Sequence, residues 1–369
     1  DAIIKAAIEN ARAAARSSIG SQEKFVALDI GPTGKMLAPL GDLDFEDAVA
    51  IFAETVKLGV KYGADLIVIE TMNDSYETKA ALLAAKENSS LPVFVSNAYG
   101  EDGKLMTGAT PSAMVALAEG MGADAVGTNC SLGPAEMKNI VSELLSVASI
   151  PVILKPNAGL PVTVDGKTVF KVGAKEFADE MIEYAKSGVR LLGGCCGTTP
   201  DYIKETVDMT KDFPVVPLTD KNLTVVSSYS HTVSFGKKAV LIGERINPTG
   251  KKRFKQALVE NDIDYILREG VSQQEKGADI LDVNVGLPEI DEEEILTASV
   301  KAVQEVIDLP LQIDTVKVSA MEKAMRIYNG KPMINSVNGK KESMEAVFPL
   351  VKKYGGTVIA LTLDECRKL

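Results

Sequence analysis

Short apolar runs alternate with helical patterns through the first 200 residues of this chain. The runs are rich in Val, Ile and Leu, and each ends in polar or turn-forming residues: Phe25–Ile30, Asp65–Ile69, Pro92–Val95, Ala123–Val126, Pro151–Leu154 and Val189–Leu192. Segments with apolar positions at helical spacing separate them, for example Asp44–Lys61, Ser75–Glu87 and Pro134–Ser146. Apolar strands joined by amphipathic helices indicate βαβ units and a parallel sheet that is buried on both faces.

Polar residues follow all six of these predicted strands. They are Asp29–Gly34, Glu70-Thr71, Asn97, Asn129-Cys130, Pro156–Gly159 and Gly193–Thr199. A (β/α)8 barrel of the TIM type carries its chemistry at the carboxyl ends of its strands, whereas a doubly wound sheet binds ligands at one switch point. The pattern therefore favours a barrel. We expect it to lack its first two strands, with the helical segment Ala2–Arg16 as the tail of the second missing unit.

The same alternation restarts near residue 239. The predicted strands are Ala239–Gly243, Asp279–Val283, Leu311–Ile313, Met333–Ile334 and Thr357–Leu361, and the predicted helices are Gln256–Lys276, Glu292–Ile307 and Val318–Tyr328. A chain of 369 residues exceeds the roughly 250–300 at which a single core stops growing. We therefore predict an α/β protein of two tandem (β/α)8 barrels, in residues 1–211 and 239–369, joined by a linker in residues 212–238. The second barrel is expected to be cut off after about five strands.

Composition excludes several classes of function. The net charge is −11 and no basic patch stands out, which argues against binding to nucleic acid or to an anionic membrane. No apolar run approaches the roughly 18 residues of a transmembrane helix. With 4 Cys in the chain, a framework of disulfide bonds is not expected. We expect a cytoplasmic protein.

Three of the four cysteines follow predicted strands. Cys130 lies in Gly127–Ser131, and the adjacent pair Cys195 and Cys196 lies in the glycine-rich turn Gly193–Pro200. Adjacent cysteines rarely bond to each other, and the alternative is that both are small buried residues. The flanking glycines favour a site, because they let the backbone and a ligand approach closely. Three thiolates with one open position predict a catalytic zinc site rather than a closed structural one.

The double-cysteine octapeptide Gly193–Pro200 resembles the signature of the zinc-dependent homocysteine methyltransferase family. Thr128–Ser131 and Pro156–Pro161 fit the pattern of the same family. Residues 241–250, Leu-Ile-Gly-Glu-Arg-Ile-Asn-Pro-Thr-Gly, are similar to the opening strand and loop of a pterin-binding barrel. The order of the two halves resembles the cobalamin-dependent methionine synthases, in which a homocysteine barrel precedes a folate-binding barrel. The resemblance covers almost the whole chain.

This resemblance implies a set of residues around a zinc-bound thiol substrate. The zinc ligands would be three thiolates: Cys130, Cys195 and Cys196. Homocysteine would bind through its own thiol, with Glu70 on its ammonium group and Thr71 and Asn129 beside it. The alternatives are that Glu70 is an acid placed at a helix N-terminus, and that Asn129 and Asn157 only fix their loops.

The resemblance also implies a folate site in the second half. Polar residues at or near strand ends would bind 5-methyltetrahydrofolate: Asn247, Asp282, Asn284, Asp314 and Asn335. Asp314 and Asn335 are expected on the pterin ring, whose edge presents adjacent donors and acceptors. Each of the five residues, taken singly, could instead be a turn or capping residue, and Glu244-Arg245 could be a structural ion pair.

The predicted activity is methyl transfer to the thiol of homocysteine, which forms methionine. Methylcobalamin would be the immediate donor and 5-methyltetrahydrofolate the source of the methyl group. The chain has no Asp-x-His-x-x-Gly loop, and its one histidine, His231, lies in the predicted linker. Cobalamin is therefore expected on a missing region or on a separate protein. Cys366 is assigned no role.

Two alternatives remain at this point. One is a cobalamin-independent homocysteine S-methyltransferase that uses betaine or S-methylmethionine as the donor. The other is a non-catalytic fragment that binds zinc or folate.

Overall fold

The computed structural model describes residues 1–20 and 22–364, which form a mixed α/β fold with two parallel sheets. These residues divide into two compact units. Unit 1 comprises residues 1–111 and 123–221, and unit 2 comprises residues 112–122 and those from 222 onward. No described helix has the length and apolar character needed to cross a membrane. Cys366 lies outside the described residues.

The sheet of unit 1 contains six parallel strands. They are β1 (Ala27–Ile30), β2 (Leu66–Met72), β3 (Val93–Asn97), β4 (Ala125–Asn129), β5 (Val152–Lys155) and β8 (Leu191–Leu192), in the order β1-β2-β3-β4-β5-β8. Strands of this sheet lie side by side in chain order, so it has no switch point and is not doubly wound. All six predicted strands are present. Strands β2, β3 and β4 extend further at their carboxyl ends than their apolar runs indicated.

Two contacts show that this sheet is curled. Thr71 on β2 hydrogen-bonds Asn129 on β4, with β3 between them. Glu70 on β2 contacts Lys155 on β5, with β3 and β4 between them. In a flat sheet these strands would lie roughly 10 and 14 Å apart, since neighbouring strands are about 4.8 Å apart. The strand ends therefore approach one another on the concave side of the sheet.

Helices connect the strands of unit 1. They are α1 (Ala2–Ser17), α2 (Phe45–Lys61), α3 (Ser75–Asn88), α4 (Pro111–Gly120, which falls in unit 2 from Ser112), α5 (Lys138–Val147, after a 3₁₀ turn at Ala135–Met137), α6 (Ala174–Ser187) and α7 (Pro200–Thr210). Helix α2 begins where the Asp44 side chain accepts a hydrogen bond from the Glu46 N–H. Its apolar face buries Phe52 and Val56. Helix α3 is capped in the same way by Asp74.

A hairpin that we did not predict follows β5. Its strands are β6 (Pro161–Val164) and β7 (Lys167–Phe170), which pair antiparallel. The two turn residues Asp165 and Gly166 have φ of 50° and 74°. Asp-Gly with both residues at positive φ is the pair that a type I′ turn favours, so this sequence signal was present.

Unit 2 is built on a second parallel sheet, of five strands in chain order. Its strands are β11 (Ile242–Ile246), β12 (Ile280–Val283), β13 (Leu311–Asp314), β14 (Met333–Asn338) and β15 (Thr357–Leu361), and its helices are α8 (Lys252–Val259), α9 (Ile263–Glu275), α10 (Glu292–Val306), α11 (Val318–Ile327) and α12 (Lys341–Tyr354). An antiparallel hairpin of β9 (Val225–Ser227) and β10 (Thr232–Ser234) precedes them. This hairpin lies inside the segment predicted as a linker. Its Val226 and Val233 are buried in a cluster with Ile280 and Met333.

The prediction of one helix over Gln256–Lys276 is wrong, because the chain forms α8 and α9 there. Asn261 has a φ of 53°, a left-handed conformation that a helix cannot contain. The side chain of Asp262 then accepts a hydrogen bond from the Tyr265 N–H and starts α9. The helix is therefore interrupted by local capping, although the apolar positions keep a helical spacing on both sides of the break.

Close packing between β4 and β5 generates a test of the unit 1 sheet. A Cβ atom at Gly127 would lie 1.9 Å from the Ile153 carbonyl oxygen, which is backbone and cannot rotate away. We expect Gly127→Ala to destabilise unit 1 by about 1–3 kcal/mol or more, measured as a lower urea midpoint at unchanged slope. The matched control is Gly31→Ala, since a Cβ there meets nothing within 4 Å. Equal midpoints for the two variants would contradict this packing.

Candidate metal centre

Three thiol groups converge at the carboxyl end of the unit 1 sheet. Cys130 directly follows β4, and Cys195 and Cys196 lie in the loop after β8. The three Sγ atoms all lie within 4.8 Å of one another, and those of Cys130 and Cys196 are 3.7 Å apart. The structure thus brings together the three cysteines that the sequence predicted as ligands.

A tight turn places the first of these thiols. The Cys130 N–H donates to the Lys155 carbonyl at 3.0 Å, which continues the pairing of β4 with β5. Cys130 and Ser131 then both take a φ of 59°. Consecutive left-handed conformations are unfavourable for residues other than glycine, and such strain is typical of functional turns. The Leu132 N–H closes the turn on the Cys130 carbonyl at 2.7 Å.

The loop after β5 holds the cysteine pair. The Cys195 N–H donates to the Pro156 carbonyl at 2.8 Å, and the Cys196 N–H donates to Oδ1 of Asn157 at 3.0 Å. Asn157 is buried, as expected of a residue whose side chain fixes its loop. Gly197 has a φ of 81°, and a Cβ there would lie 2.4 Å from the ring of Phe170. A glycine is required at this position for both reasons.

Asn129 connects the thiol cluster to β2. Its side chain is fully buried. Its Oδ1 accepts hydrogen bonds from the Thr71 N–H at 2.9 Å and from the Ser96 hydroxyl at 2.7 Å. Its Nδ2 donates to the Thr71 hydroxyl at 2.8 Å and lies 3.9 Å from Sγ of Cys195. The structure therefore places Thr71 and Asn129 beside the thiols.

The surroundings of Cys195 and Cys196 favour the protonated form of both thiols. The pKa of Cys195 is raised to about 11, chiefly by burial and next by the neighbouring Cys130. Burial also raises the pKa of Cys196, with Cys130 again adding to the shift. Three thiolates at this spacing would repel one another, so their ionisation requires a positive charge between them.

Zinc fits this arrangement of sulfur atoms. Tetrahedral zinc–sulfur bonds of about 2.3 Å place the sulfurs roughly 3.8 Å apart, close to the 3.7 Å between Cys130 and Cys196. The same separation is far longer than the roughly 2.05 Å of a disulfide. Thiolates are soft ligands that select zinc over magnesium or calcium.

Three charged side chains, those of Asp29, Glu70 and Lys155, lie at the same rim of the unit 1 sheet as the thiols. The carboxylate of Glu70 contacts Nζ of Lys155, and the two side chains are 21% and 20% exposed. Burial raises the pKa of Asp29 and lowers that of Lys155, while the attraction between these two opposes both shifts. The sequence predicted Glu70 but missed Lys155. The available signal was a polar residue directly after the apolar run of β5.

In unit 2 the predicted folate residues lie on four successive strands or directly after them. Asn284 donates through Nδ2 to Asp314 Oδ2 at 2.9 Å. Asp282 is buried and accepts a hydrogen bond from Gln312 through Oδ1. Its other oxygen, Oδ2, is buried and has no hydrogen-bond partner among the described residues. Asn335 pairs in register with Asp314 on the adjacent strand.

Glu244 joins this group, although the sequence suggested it only as half of an ion pair. Its carboxylate accepts a hydrogen bond from Nδ2 of Asn247 at 3.0 Å. Burial raises the pKa of Asp282 to about 7, and the negative charges of Asp314 and Glu244 contribute to that shift. Burial raises the pKa of Asp314 as well. The structure therefore gathers three carboxyl groups, and each accepts a hydrogen bond from a side-chain amide, those of Asn247, Asn284 and Gln312.

His231 lies apart, in the β9–β10 turn, with Nδ1 3.0 Å from the Ser230 hydroxyl.

Two protein families match successive parts of the chain. Residues 1–210 match the family homocysteine S-methyltransferase, and residues 243–368 match the family pterin binding enzyme. The methionine synthase of Mycobacterium leprae is 31% identical over 361 residues, and that of Mycobacterium tuberculosis is 30% identical over 357 residues. Each alignment covers 93% of this chain and 30% of the relative, so the chain spans about 30% of the length of these curated relatives.

A similar solved structure is the apo form of the homocysteine methyltransferase MmuM from Escherichia coli. It is 24% identical, with a TM-score of 0.47, and the alignment covers 57% of this chain and 73% of that one. The family match over residues 1–210 covers more than half of the chain and includes all three converging cysteines. The chain therefore belongs to the homocysteine S-methyltransferase family, a family of methyltransferases.

Proposed function

We propose that this chain is part of an enzyme that methylates the thiol of homocysteine to form methionine. The observation that carries the proposal is the convergence of three thiols within 4.8 Å at the rim of the curled sheet. Three protein ligands leave one of four tetrahedral positions open, which is the arrangement of a catalytic zinc site. The same chemistry favours a reducing compartment, so the proposal includes a cytoplasmic location.

In this proposal the residues of unit 1 hold and orient both the metal and the substrate. Cys130, Cys195 and Cys196 hold zinc, and Asn129 fixes the loops around them. Zinc bound there would lower the pKa of a coordinated thiol, ordinarily about 8.5, so that homocysteine would react as a thiolate at neutral pH. Glu70 binds the ammonium group of the substrate, since its carboxylate lies at the same rim as the thiols.

We propose further that the two sheets are parts of two (β/α)8 barrels. Parallel strands in chain order support this reading, as does the location of the polar residues at their carboxyl ends. The proposed barrels occupy residues 1–211 and 239–369, with residues 212–238 between them.

For the second unit we propose binding of 5-methyltetrahydrofolate. The unpartnered Oδ2 of Asp282 supports this, because a pterin ring edge would supply the missing donor. Asp314 and Asn335 would bind the ring, and Asn247 and Asn284 would fix the acids. Reduced cobalamin on a separate module would accept the methyl group from 5-methyltetrahydrofolate and, as methylcobalamin, would donate it to the thiol of homocysteine. The acidic group of unit 2 favours this donor over betaine or S-methylmethionine, since an enzyme that uses either of those donors would not need a pterin pocket. No nucleic acid or membrane partner is proposed.

Removal of one thiol tests the proposed zinc site. We expect stoichiometric zinc in the wild-type protein and its loss to a chelator in Cys196→Ser, since two thiolates bind zinc far more weakly than three. The measurement is metal content by mass spectrometry after dialysis against the chelator. The matched control is Cys366→Ser, which removes the one cysteine that the sequence assigns no role and should retain zinc. Zinc that survives in Cys196→Ser would exclude Cys196 as a ligand.

The pKa of Asp282 generates a test of the folate site. Its pKa is raised to about 7, so a proton occupies the carboxyl group below that pH and the ionised acceptor is present above it. We expect the affinity for 5-methyltetrahydrofolate to increase as pH rises through about 7, by up to about tenfold per pH unit. Calorimetric titration across this range measures it, and Asp282→Asn should lose this dependence. An identical pH profile in the variant would show that Asp282 does not control binding.

A further inference from the structure

The side-chain amide of Asn129 lies between strands β2 and β3 and the thiol cluster. Asn129 is the last residue of β4 and directly precedes Cys130, one of the proposed zinc ligands. Its side chain is fully buried, as is that of its partner Ser96 on β3. A buried amide must satisfy its donors and acceptors within the protein, so the partners of each polar atom show what the amide does.

Three hydrogen bonds fix the orientation of this amide. Oδ1 accepts from the backbone N–H of Thr71 at 2.9 Å and from the Ser96 hydroxyl at 2.7 Å. At the other end, Nδ2 donates to the Thr71 hydroxyl at 2.8 Å. A flipped amide would place its NH2 group against the Thr71 N–H, and two donors would then face each other. The amide therefore keeps its nitrogen on the side of the thiols.

The backbone of Thr71 is strained in the conformation that makes these contacts. Its φ is 60°, which is rare for a β-branched residue. The pairing of β2 with β3 shifts its register between Ile69 and Met72, on either side of Thr71. Strain of this kind is typical of functional sites, where the surrounding structure maintains it. Here it lets a single residue bond both ends of the Asn129 amide.

One N–H of this amide remains for the thiols. The NH2 group has two hydrogens, and the Thr71 hydroxyl takes one of them. The second is available to Sγ of Cys195, which lies 3.9 Å from Nδ2. The ammonium group of Lys155 interacts with the same sulfur. Cys195 thus faces two groups that stabilise negative charge on it.

Negative charge would accumulate at the proposed metal centre when the substrate binds. Three thiolates on a divalent cation leave one net negative charge, and the thiolate of homocysteine would add a second. Cys195 is partly buried, so water stabilises this charge less well than in bulk, and protein donors must contribute. An N–H bonded to a thiolate forms a charge-assisted hydrogen bond, which is stronger than one to a neutral thiol.

We propose that Asn129 donates its second amide N–H to the sulfur of Cys195 and thereby stabilises the negative charge that homocysteine adds to the metal centre. The inference rests on the proposed function, since it places the substrate thiolate on the three-cysteine cluster. Asn129 is then a positioning residue that acts through a metal ligand, in addition to fixing the loops. Hydrogen bonds to ligand atoms tune metal centres in this way, because they reduce the electron density that the ligand donates.

Two substitutions separate the donor from the charge and the packing of this side chain. Asn129→Asp keeps acceptors for Thr71 and Ser96, but it has no N–H for Cys195 and adds a negative charge. Asn129→Ala removes the donor without adding charge. We expect both variants to bind homocysteine about tenfold or more weakly in calorimetry of the zinc-loaded protein, because a hydrogen bond to a charged group contributes roughly that factor. Imidazole binds zinc as a neutral ligand, so its affinity should stay within about twofold of the wild type.

The cobalt-substituted protein reports on the Cys195 sulfur without substrate. Loss of a hydrogen-bond donor raises the energy of the sulfur electrons, so we expect the sulfur-to-cobalt charge-transfer band to move to lower energy in both variants. The matched control is Ser96→Ala, which removes a hydrogen bond to Oδ1 of Asn129 and leaves both N–H groups in place. Its absorption band and its homocysteine affinity should equal those of the wild type.

Three results would overturn the proposal. Wild-type homocysteine affinity in Asn129→Asp would show that only the acceptors and the packing of the side chain matter. Wild-type affinity in Asn129→Ala would show that only the added charge matters. Equal losses for homocysteine and imidazole would show that the substitutions disrupt the whole site. If the wild-type cobalt protein showed no thiolate coordination when homocysteine is added, the proposed function itself would fail, and this inference with it.

Discussion

The candidate site depends on the backbone geometry that holds three sulfur atoms close together. They lie within 4.8 Å of one another, and burial together with mutual repulsion raises the pKa of Cys195 to about 11. The fold opposes this repulsion with backbone geometry: a left-handed turn at Cys130 and Ser131, and hydrogen bonds from the loop after β5 to the cysteine pair. A cation at the centre would convert the repulsion between ionised thiols into attraction, which supports the proposed metal centre.

Curvature of the unit 1 sheet gives these sulfurs their chemical neighbours. Strands β2, β4, β5 and β8 each end at the same rim, and the side chains of Asn129 and Lys155 reach across intervening strands to β2. A flat sheet would leave these groups too far apart to touch. The same curvature places the charged pair of Glu70 and Lys155 at the same rim as the three thiols.

The sequence predicted those features that depend on local pattern. Apolar runs located the strands, and because parallel strands end at one edge, cysteines at the ends of two runs could be assigned to one site. The contact of Lys155 with Glu70 could not be predicted, since it depends on how strongly the sheet curls. Nor could the inclusion of Glu244 in the acidic group of unit 2, which requires the relative positions of β11, β12 and β13. The break at Asn261 and the turn at Asp165-Gly166 both had local sequence signals. The apolar periodicity on both sides of Asn261 nevertheless favoured one continuous helix, and the prediction did not include the Asp-Gly turn.

X-ray absorption at the zinc edge tests the central claim most directly, because it counts the atoms bound to the metal. The account predicts three sulfur neighbours at about 2.3 Å and one lighter atom in the protein without substrate. Addition of homocysteine should replace the lighter atom and give four sulfurs. Fewer than three sulfurs in the substrate-free protein would contradict the account, as would a sulfur count that does not change when homocysteine is added.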